Sequence, residues 1–244
     1  MRSTMSSVAR FERKYRLTPS EYVVLRGRLA ALTRPDEYTR RSGGRYLVRS
    51  LYYDTDDLAA YREREEGLFG RIKLRLRVYS SAESEMHRVR VEIKTREGAV
   101  MVKHTAFVEY PDYLGFLKTR SWSNHDRVLA EFERLVRSRD ARPVLLVQYQ
   151  REALVSRDDP RVRITLDHAI HSTRADSLTL EPILLRPHRP RSIVLEMKTP
   201  CGELPGWVEA LVRDHGLTLV SNSKYAQGIE TVHGAFAGIV AEAQ

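Results

Sequence analysis

The sequence predicts an α+β fold, an antiparallel eight-stranded β tunnel or barrel with helices packed outside. Three observations lead there. Several segments alternate strictly between charged and aliphatic residues, the pattern of a strand with one buried face. Capped helices are signalled between and after these segments. The charge on the alternating faces is repeatedly of one sign, which a flat sheet would hold at a cost of a few tenths of a kcal/mol or more per directly opposed pair.

The chain of 244 residues holds 41 Lys and Arg against 32 Asp and Glu, a formal net charge of +9, and its pI is near 9.8. At 42% hydrophobic and 30% charged it has the material for a core, which excludes a disordered basic tail. No run approaches the ~20 apolar residues of a membrane helix. The first residues show no apolar stretch of the ~7 to 15 residues typical of a secretory signal. The single Cys201 has no partner for an internal disulfide and no neighbour that marks it as a nucleophile, so it is expected to be inert. A cytoplasmic, reducing location is therefore expected.

The elements follow in order. Val8 to Arg16 alternates, with Arg10, Glu12, Lys14 and Arg16 on one face. Thr18-Pro19-Ser20-Glu21 is a capping box with Pro at the first helical position, so a helix is predicted from Pro19 to Leu32. After a loop at Ser42-Gly43-Gly44, Tyr46 to Tyr53 reads as a strand, and Asp54-Thr55-Asp56-Asp57 caps a short helix from Leu58 to Glu66 that stops at Gly67. Arg71 to Val78 has the clearest period of two: every odd position is basic and every even one aliphatic. Arg88 to Lys94 repeats it with Glu92 among the cations, and Val100 to Tyr110 carries Lys103 and Glu109. Helices are predicted at Asp112 to Lys118 and Asp126 to Ser138. Strands resume at Val144 to Glu152, with Tyr149 and Arg151, at Arg161 to Asp167, and at Ser192 to Lys198 with Glu196. A helix from Leu204 to His215 ends at Gly216, and Ser221-Asn222-Ser223 caps a last one beginning at Lys224.

Helices laid on the aliphatic faces would turn the charged faces toward one another, and rolling the sheet would give a lumen lined with cations. Such a lumen concentrates a linear polyphosphate. Of the basic residues only seven are Lys, and all but Lys118 lie in or beside these segments. Glu12, Glu92, Asp167 and Glu196 share the charged faces. Each is either the partner of a neighbouring Arg or a ligand of a hard divalent cation such as Mg2+ or Mn2+, and the pattern does not choose between the two. No phosphate-binding Gly loop followed by Lys and Ser or Thr is present, and one Cys with eight scattered His forms no zinc pattern. His104, His168 and His171 lie near strands as exposed or structural groups. Nucleic acid is not expected as a partner, because the residues between the cations at 71–77 and 88–94 are aliphatic, whereas single-strand binders interleave aromatic rings for base stacking.

The ordered segments Phe11-Glu12-Arg13-Lys14-Tyr15, Ser50-Leu51-Tyr52-Tyr53-Asp54-Thr55, Lys73-Leu74-Arg75-Leu76-Arg77, Val91-Glu92-Ile93-Lys94, Gln148-Tyr149-Gln150-Arg151, Ile164-Thr165-Leu166-Asp167, Leu195-Glu196-Met197-Lys198 and Ser223-Lys224-Tyr225 resemble the VTC domain. This is the polyphosphate polymerase domain of the vacuolar transporter chaperone complex, a branch of the triphosphate tunnel metalloenzymes. The resemblance spans residues 8–232 and leaves 1–7 and 233–244 as terminal extensions.

The resemblance implies an antiparallel tunnel in which Lys14, Arg75, Arg77, Lys94, Lys103, Arg151, Lys198 and Lys224 hold phosphate oxygens, joined by Lys73. Tyr149 and Ser223 would be neutral hydrogen-bond donors. Glu196 matches the metal-binding glutamate of the family, and Glu12 is the second candidate ligand for Mn2+ or Mg2+. The implied reaction moves the terminal phosphoryl group of a nucleoside triphosphate onto a growing polyphosphate chain. The alternatives are hydrolysis of a triphosphate or polyphosphate in the same tunnel, and a non-catalytic polyanion-binding module. The wider superfamily often opens with Glu-x-Glu-x-Lys, whereas Arg10 stands first in the series here, which favours the polymerase branch over thiamine triphosphatase or adenylate cyclase. The family's eukaryotic complex adds a phosphate-sensing module and membrane helices that this sequence lacks, so a membrane role would need a separate membrane-protein partner. The sequence carries no signal of oligomeric state.

Overall fold

The computed structural model describes residues 4–6, 10–66, 70–80, 88–97, 100–179, 181–200 and 204–241. The expected strand start at Val8 and Ala9, the helix stop at Gly67 and the inert Cys201 lie outside the described residues. In chain order the elements are β1 (Thr4–Ser6), β2 (Arg10–Leu17), α1 (Pro19–Leu32), β3 (Thr33–Pro35), α2 (Glu37–Arg41), β4 (Tyr46–Asp54), α3 (Ala59–Glu65), β5 (Gly70–Ser80), β6 (Arg88–Glu97), β7 (Val100–Glu109), α4 (Tyr110–Thr119), α5 (Arg127–Ser138), β8 (Arg142–Ser156), β9 (Arg163–Thr173), β10 (Arg186–Pro187), β11 (Ile193–Pro200), α6 (Gly206–Asp214) and α7 (Lys224–Ala241).

All eight expected strands form, and the expected helices form within two residues of their predicted starts. The capping box is closed on both sides. The Glu21 amide donates to Thr18 Oγ1 at 3.3 Å and the Thr18 amide donates to Glu21 Oε2 at 2.7 Å. Gly43 and Gly44 take φ of +68° and +131° in the turn before β4, and Gly216 takes +56° just beyond α6, conformations that side chains with a Cβ rarely adopt.

The strands form one sheet in the order β1-β7-β6-β5-β4-β8-β9-β11-β2, with β3 added beside β8 and β10 beside β9. Every pairing is antiparallel. This corrects the expected eight-stranded barrel in two ways. The sheet has 11 strands, because β1, β3 and β10 are too short to leave an alternation in the sequence; β1 lies within the expected N-terminal extension. The ladder is also open among the described residues, with β1 and β2 as its two ends.

The aliphatic faces are where the alternation puts them. Leu74, Leu76 and Val78 of β5 and Val89, Val91 and Ile93 of β6 pack beneath Tyr113 and Phe116 of α4 and Leu129, Phe132 and Leu135 of α5. Leu25 and Leu29 of α1 and Val208 and Leu211 of α6 cover Tyr15, Leu17, Ile164, Leu166, Leu195 and Met197.

The last helix departs from the expectation that helices lie outside. Tyr225, Ile229 and Val232 of α7 pack on Tyr52, Leu145, Val147, Ile170 and Val194, on the same side of the sheet as the cations. The cause is local: Leu145, Val147 and Ile170 are apolar where the neighbouring strands are charged, so this end of the interior must be covered by an apolar stripe. Among the described residues no helix is long and apolar enough to cross a membrane.

Candidate functional site

The interior face collects charge from seven strands and one helix start. β2 supplies Glu12 and Lys14, β5 supplies Lys73, Arg75 and Arg77, β6 supplies Glu92 and Lys94, and β7 supplies Lys103. From β8 come Tyr149 and Arg151, from β9 Asp167, from β11 Glu196 and Lys198. Ser223 and Lys224 open α7. Register sets like charges side by side: Lys73 pairs with Lys94, Lys94 with Lys103, and Arg77 with Arg90. Such juxtaposition destabilises a sheet that has no anion to bind.

Three carboxylates organise the cations. Glu12 lies 3.8 Å from Lys14, 3.7 Å from Lys94 and 3.6 Å from Lys198. Burial and the nearby Glu196 work to raise the Glu12 carboxyl, and Lys198, Lys94 and Lys14 outweigh them to hold it low. Glu92, 1% exposed, receives Arg75 Nε at 2.7 Å and also pairs with Lys103. Burial opposes its charge, yet Arg75, Arg77 and Lys103 keep it well below the usual carboxylate range. Asp167, fully buried, accepts Arg151 Nε at 2.7 Å and Nη2 at 2.8 Å and pairs with Lys224 Nζ at 2.6 Å. Burial again opposes ionisation, but Arg151 and Lys224 bring this carboxyl to about 2.

The fourth acid, Glu196, sits 3.0 Å from Lys198. Burial raises its carboxyl, and Lys198, Lys14, Lys224 and Arg151 together push it well below the ordinary value. All four acids are thus charged and held among cations.

The remaining expected residues join the same interior. Lys73 Nζ donates to Ser223 Oγ at 3.4 Å, and Ser223 Oγ also accepts the Ala226 amide at 3.3 Å as it caps α7. Lys14 donates to the Asn222 carbonyl at 3.2 Å. The Tyr149 ring lies under the Lys224 ammonium at 4.9 Å and the Arg151 guanidinium at 5.1 Å. Among the described residues the buried Tyr149 hydroxyl has no hydrogen-bond partner.

Several side chains received no site role from the sequence. Tyr52 accepts Arg75 Nη1 at 3.2 Å, Ser50 accepts Arg77 Nε at 2.9 Å, and Tyr79 accepts Arg77 Nη1 at 3.3 Å and Arg90 Nη1 at 3.1 Å. Burial favours the neutral phenols. Arg75 and Arg77 overcome it at Tyr52, as Arg77 and Arg90 do at Tyr79, and both hydroxyls fall to about 8. Tyr79 continues the odd-position series of Arg71 to Arg77, so its place on the interior face was readable. Ser50 and Tyr52 become legible only once β4 is set in register with β5.

Among the described residues no three His, Cys, Asp or Glu side chains gather as a ready metal cage. Glu12 and Glu196 nevertheless fit a hard divalent cation. Both are oxygen donors, both are charged, both approach Lys198, and the charge of Glu196 acts on the Glu12 carboxyl. Mg2+ commonly binds through one or two carboxylates and takes its remaining ligands from water and substrate phosphate.

The fold and interior define an α+β protein whose curled antiparallel sheet encloses a cation-rich face. The chain belongs to the VTC domain family, whose profile matches residues 9–233. Among solved structures it is similar to a candidate adenylate cyclase from Bacillus halodurans, at 12% identity and a TM-score of 0.52, over 88% of this chain and 95% of that one. It also matches the PH1819 protein of Pyrococcus horikoshii OT3 at 12% identity and a TM-score of 0.46, over 96% and 99% of the two chains. No curated protein sequence gives a match.

Proposed function

We propose that this protein is a polyphosphate polymerase, transferring the terminal phosphoryl group of a nucleoside triphosphate to a polyphosphate chain within a cationic, metal-dependent tunnel. The observation that carries the reading is the convergence of Lys14, Lys73, Arg75, Arg77, Lys94, Lys103, Arg151, Lys198 and Lys224 on one interior. Family membership supports the same chemistry. A cytoplasmic setting goes with it, because the donor is a nucleoside triphosphate.

Phosphoryl transfer requires in-line positioning and charge neutralisation more than covalent help from the protein. An oxygen at the chain end would bond to the terminal phosphorus of the nucleotide. The bond from that phosphorus to its bridging oxygen would break, and the nucleoside diphosphate would leave with the electron pair. Arg75 and Arg77 are aimed and fixed by Glu92, Tyr52 and Ser50, and Arg151 and Lys224 by Asp167. These cations would meet phosphate oxygens without reorganising. Tyr149, whose buried hydroxyl has no partner among the described residues, and Ser223 would donate neutral hydrogen bonds. Glu12 and Glu196 would hold Mn2+ or Mg2+, which when bound supplies further neutralisation of phosphate charge.

Incubating the purified protein with ATP and each metal should yield acid-labile polymer, and the double substitution Arg75→Ala and Arg77→Ala should abolish it. Orthophosphate without chain growth would replace the polymerase with a hydrolase. If neither product forms while polyphosphate still binds, the protein is a polyanion-binding module.

A further inference from the structure

One end of the cation series is closed by α7, and the other ends in aromatic rings. Tyr79 occupies the interior position of β5 that follows Arg75 and Arg77. Tyr46 is at the same end of β4, where it pairs in register with Arg151. Tyr38, from the short helix α2, lies across both: ring centroids are 5.6 Å apart for Tyr38 and Tyr46, 5.7 Å for Tyr38 and Tyr79, and 5.9 Å for Tyr46 and Tyr79.

The three rings differ in exposure. Tyr46 is 4% exposed and Tyr38 is 41% exposed, so the lower ring supports an upper one that faces solvent. The helix beneath Tyr38 is anchored on both sides. Asp36, its N-cap, pairs with Arg163 at 3.0 Å, and Thr39 Oγ1 accepts the Ala153 amide at 2.8 Å. Next to the rings, the Arg90 guanidinium lies 4.9 Å from the Tyr79 ring and 4.9 Å from the Phe107 ring.

From this geometry we infer that Tyr38, supported by Tyr46 and Tyr79, is a stacking platform for the nucleobase of the triphosphate substrate, with Arg90 beside it at the entrance to the phosphate-binding interior. The inference rests on the tunnel reading and adds a nucleoside subsite to it. A base stacks on an aromatic face that is held still, and Tyr38 is held by Tyr46 and Tyr79, whose rings meet it at tilts of 44° and 32°, and by an anchored backbone. Two pleat repeats, roughly 13 Å along an extended strand, separate Tyr79 from Arg75, so a nucleotide seated on the platform directs its phosphates along β5 toward Arg77 and Arg75. The platform is one cluster at one end of the cations, which suits a single base and not a continuous nucleic-acid strand.

The test compares ATP with inorganic tripolyphosphate by calorimetric titration. In Tyr38→Ala the affinity for ATP should fall about fivefold to a hundredfold, the range that loss of one base-aromatic stack produces. Tripolyphosphate affinity should stay within about twofold, which also reports that the variant is folded. Tyr38→Phe, which keeps the ring, should bind ATP as the wild type does. Equal loss for both ligands, or no loss for either, would overturn the platform and leave the tunnel standing. Wild-type protein that binds neither ligand would overturn the tunnel reading and the platform with it.

Discussion

The Lys94 ammonium and the Glu12 carboxylate stand 3.7 Å apart, although β5, β4, β8, β9 and β11 separate their strands in the ladder. An open path of strands therefore curls until the interior faces of β6 and β2 meet. A partly exposed ion pair of this kind is worth only ~0 to 1 kcal/mol, so it records the curl without causing it. The larger stabilisation comes from burying the aliphatic faces beneath the helices.

Lys94 is also the middle member of the row Lys73, Lys94, Lys103. Lys94→Gln removes two like-charge neighbours, each worth ~0.2 to 1 kcal/mol of repulsion, at the loss of one weak pair. Without ligand the variant should melt at the wild-type temperature or up to ~4 °C higher, while tripolyphosphate raises its melting temperature less than that of the wild type. A ligand-free variant that melts well below the wild type would show Lys94 to be structural.

Asp167 should govern acid stability. Its carboxyl titrates near 2 in the folded protein and near 3.9 when unfolded. The contribution is complete above pH ~4 and is lost as pH falls toward 2, on the order of 2 kcal/mol. Asp167→Asn leaves Arg151 and Lys224 without their anion and should cost ~3 kcal/mol or more at pH 7. Urea unfolding at pH 7 and pH 3 separates the two, since the variant should lose less stability between these pH values than the wild type. An equal loss in both would assign the acid sensitivity to other carboxyls.

Much of this was legible in the sequence because it is local. The alternation of Arg71 to Val78 and Arg88 to Lys94 correctly divided interior from core, and Thr18 with Glu21 marked the start of α1. Contacts that depend on distant register were not legible. Periodicity shows that Tyr225, Ile229 and Val232 share a face of α7, but it does not show which side of the sheet they cover. Nor can spacing bring Tyr38 of α2 onto Tyr79 of β5, or Glu12 to Lys94. The charged candidates on the strands stand out through charge at alternating positions, whereas Tyr149, Ser223 and Lys224 enter through the family resemblance. The uncharged supports, Ser50 and Tyr52, lie in a segment that carries the family resemblance, but their role toward Arg77 and Arg75 emerges only once β4 is aligned with β5.

Anion binding should weaken above pH 8. Burial lowers Lys103 to about 8 against the opposing pull of Glu92, and the Tyr52 and Tyr79 hydroxyls titrate at about 8 as well. As pH rises, Lys103 loses its positive charge and the phenols become negative, so all three changes repel phosphate. A bound anion favours the protonated forms, hence tripolyphosphate affinity should be highest near pH 7 and fall between pH 7 and 9. Lys103→Arg keeps its charge throughout and should flatten part of that slope. A wild-type affinity that is constant over this range would mean that these groups do not face the ligand.

If Glu12 and Glu196 hold the metal as proposed, the two carboxylates at Lys198 should make opposite contributions with and without it. Glu196 lies 3.0 Å and Glu12 3.6 Å from the Lys198 ammonium, and both place negative charge where phosphate oxygens would enter. Without metal, Glu196→Gln removes a repulsive charge, so tripolyphosphate should bind equally well or more tightly. With Mn2+ the wild type should gain affinity, because a divalent cation converts the acids from repulsive groups into a bridge to phosphate. Glu196→Gln should lose most of that gain, and Glu12→Gln should shift in the same direction. Titrating tripolyphosphate with and without Mn2+ gives both numbers for each protein, and a Glu196→Gln variant that kept the full metal-dependent gain would place the cation elsewhere.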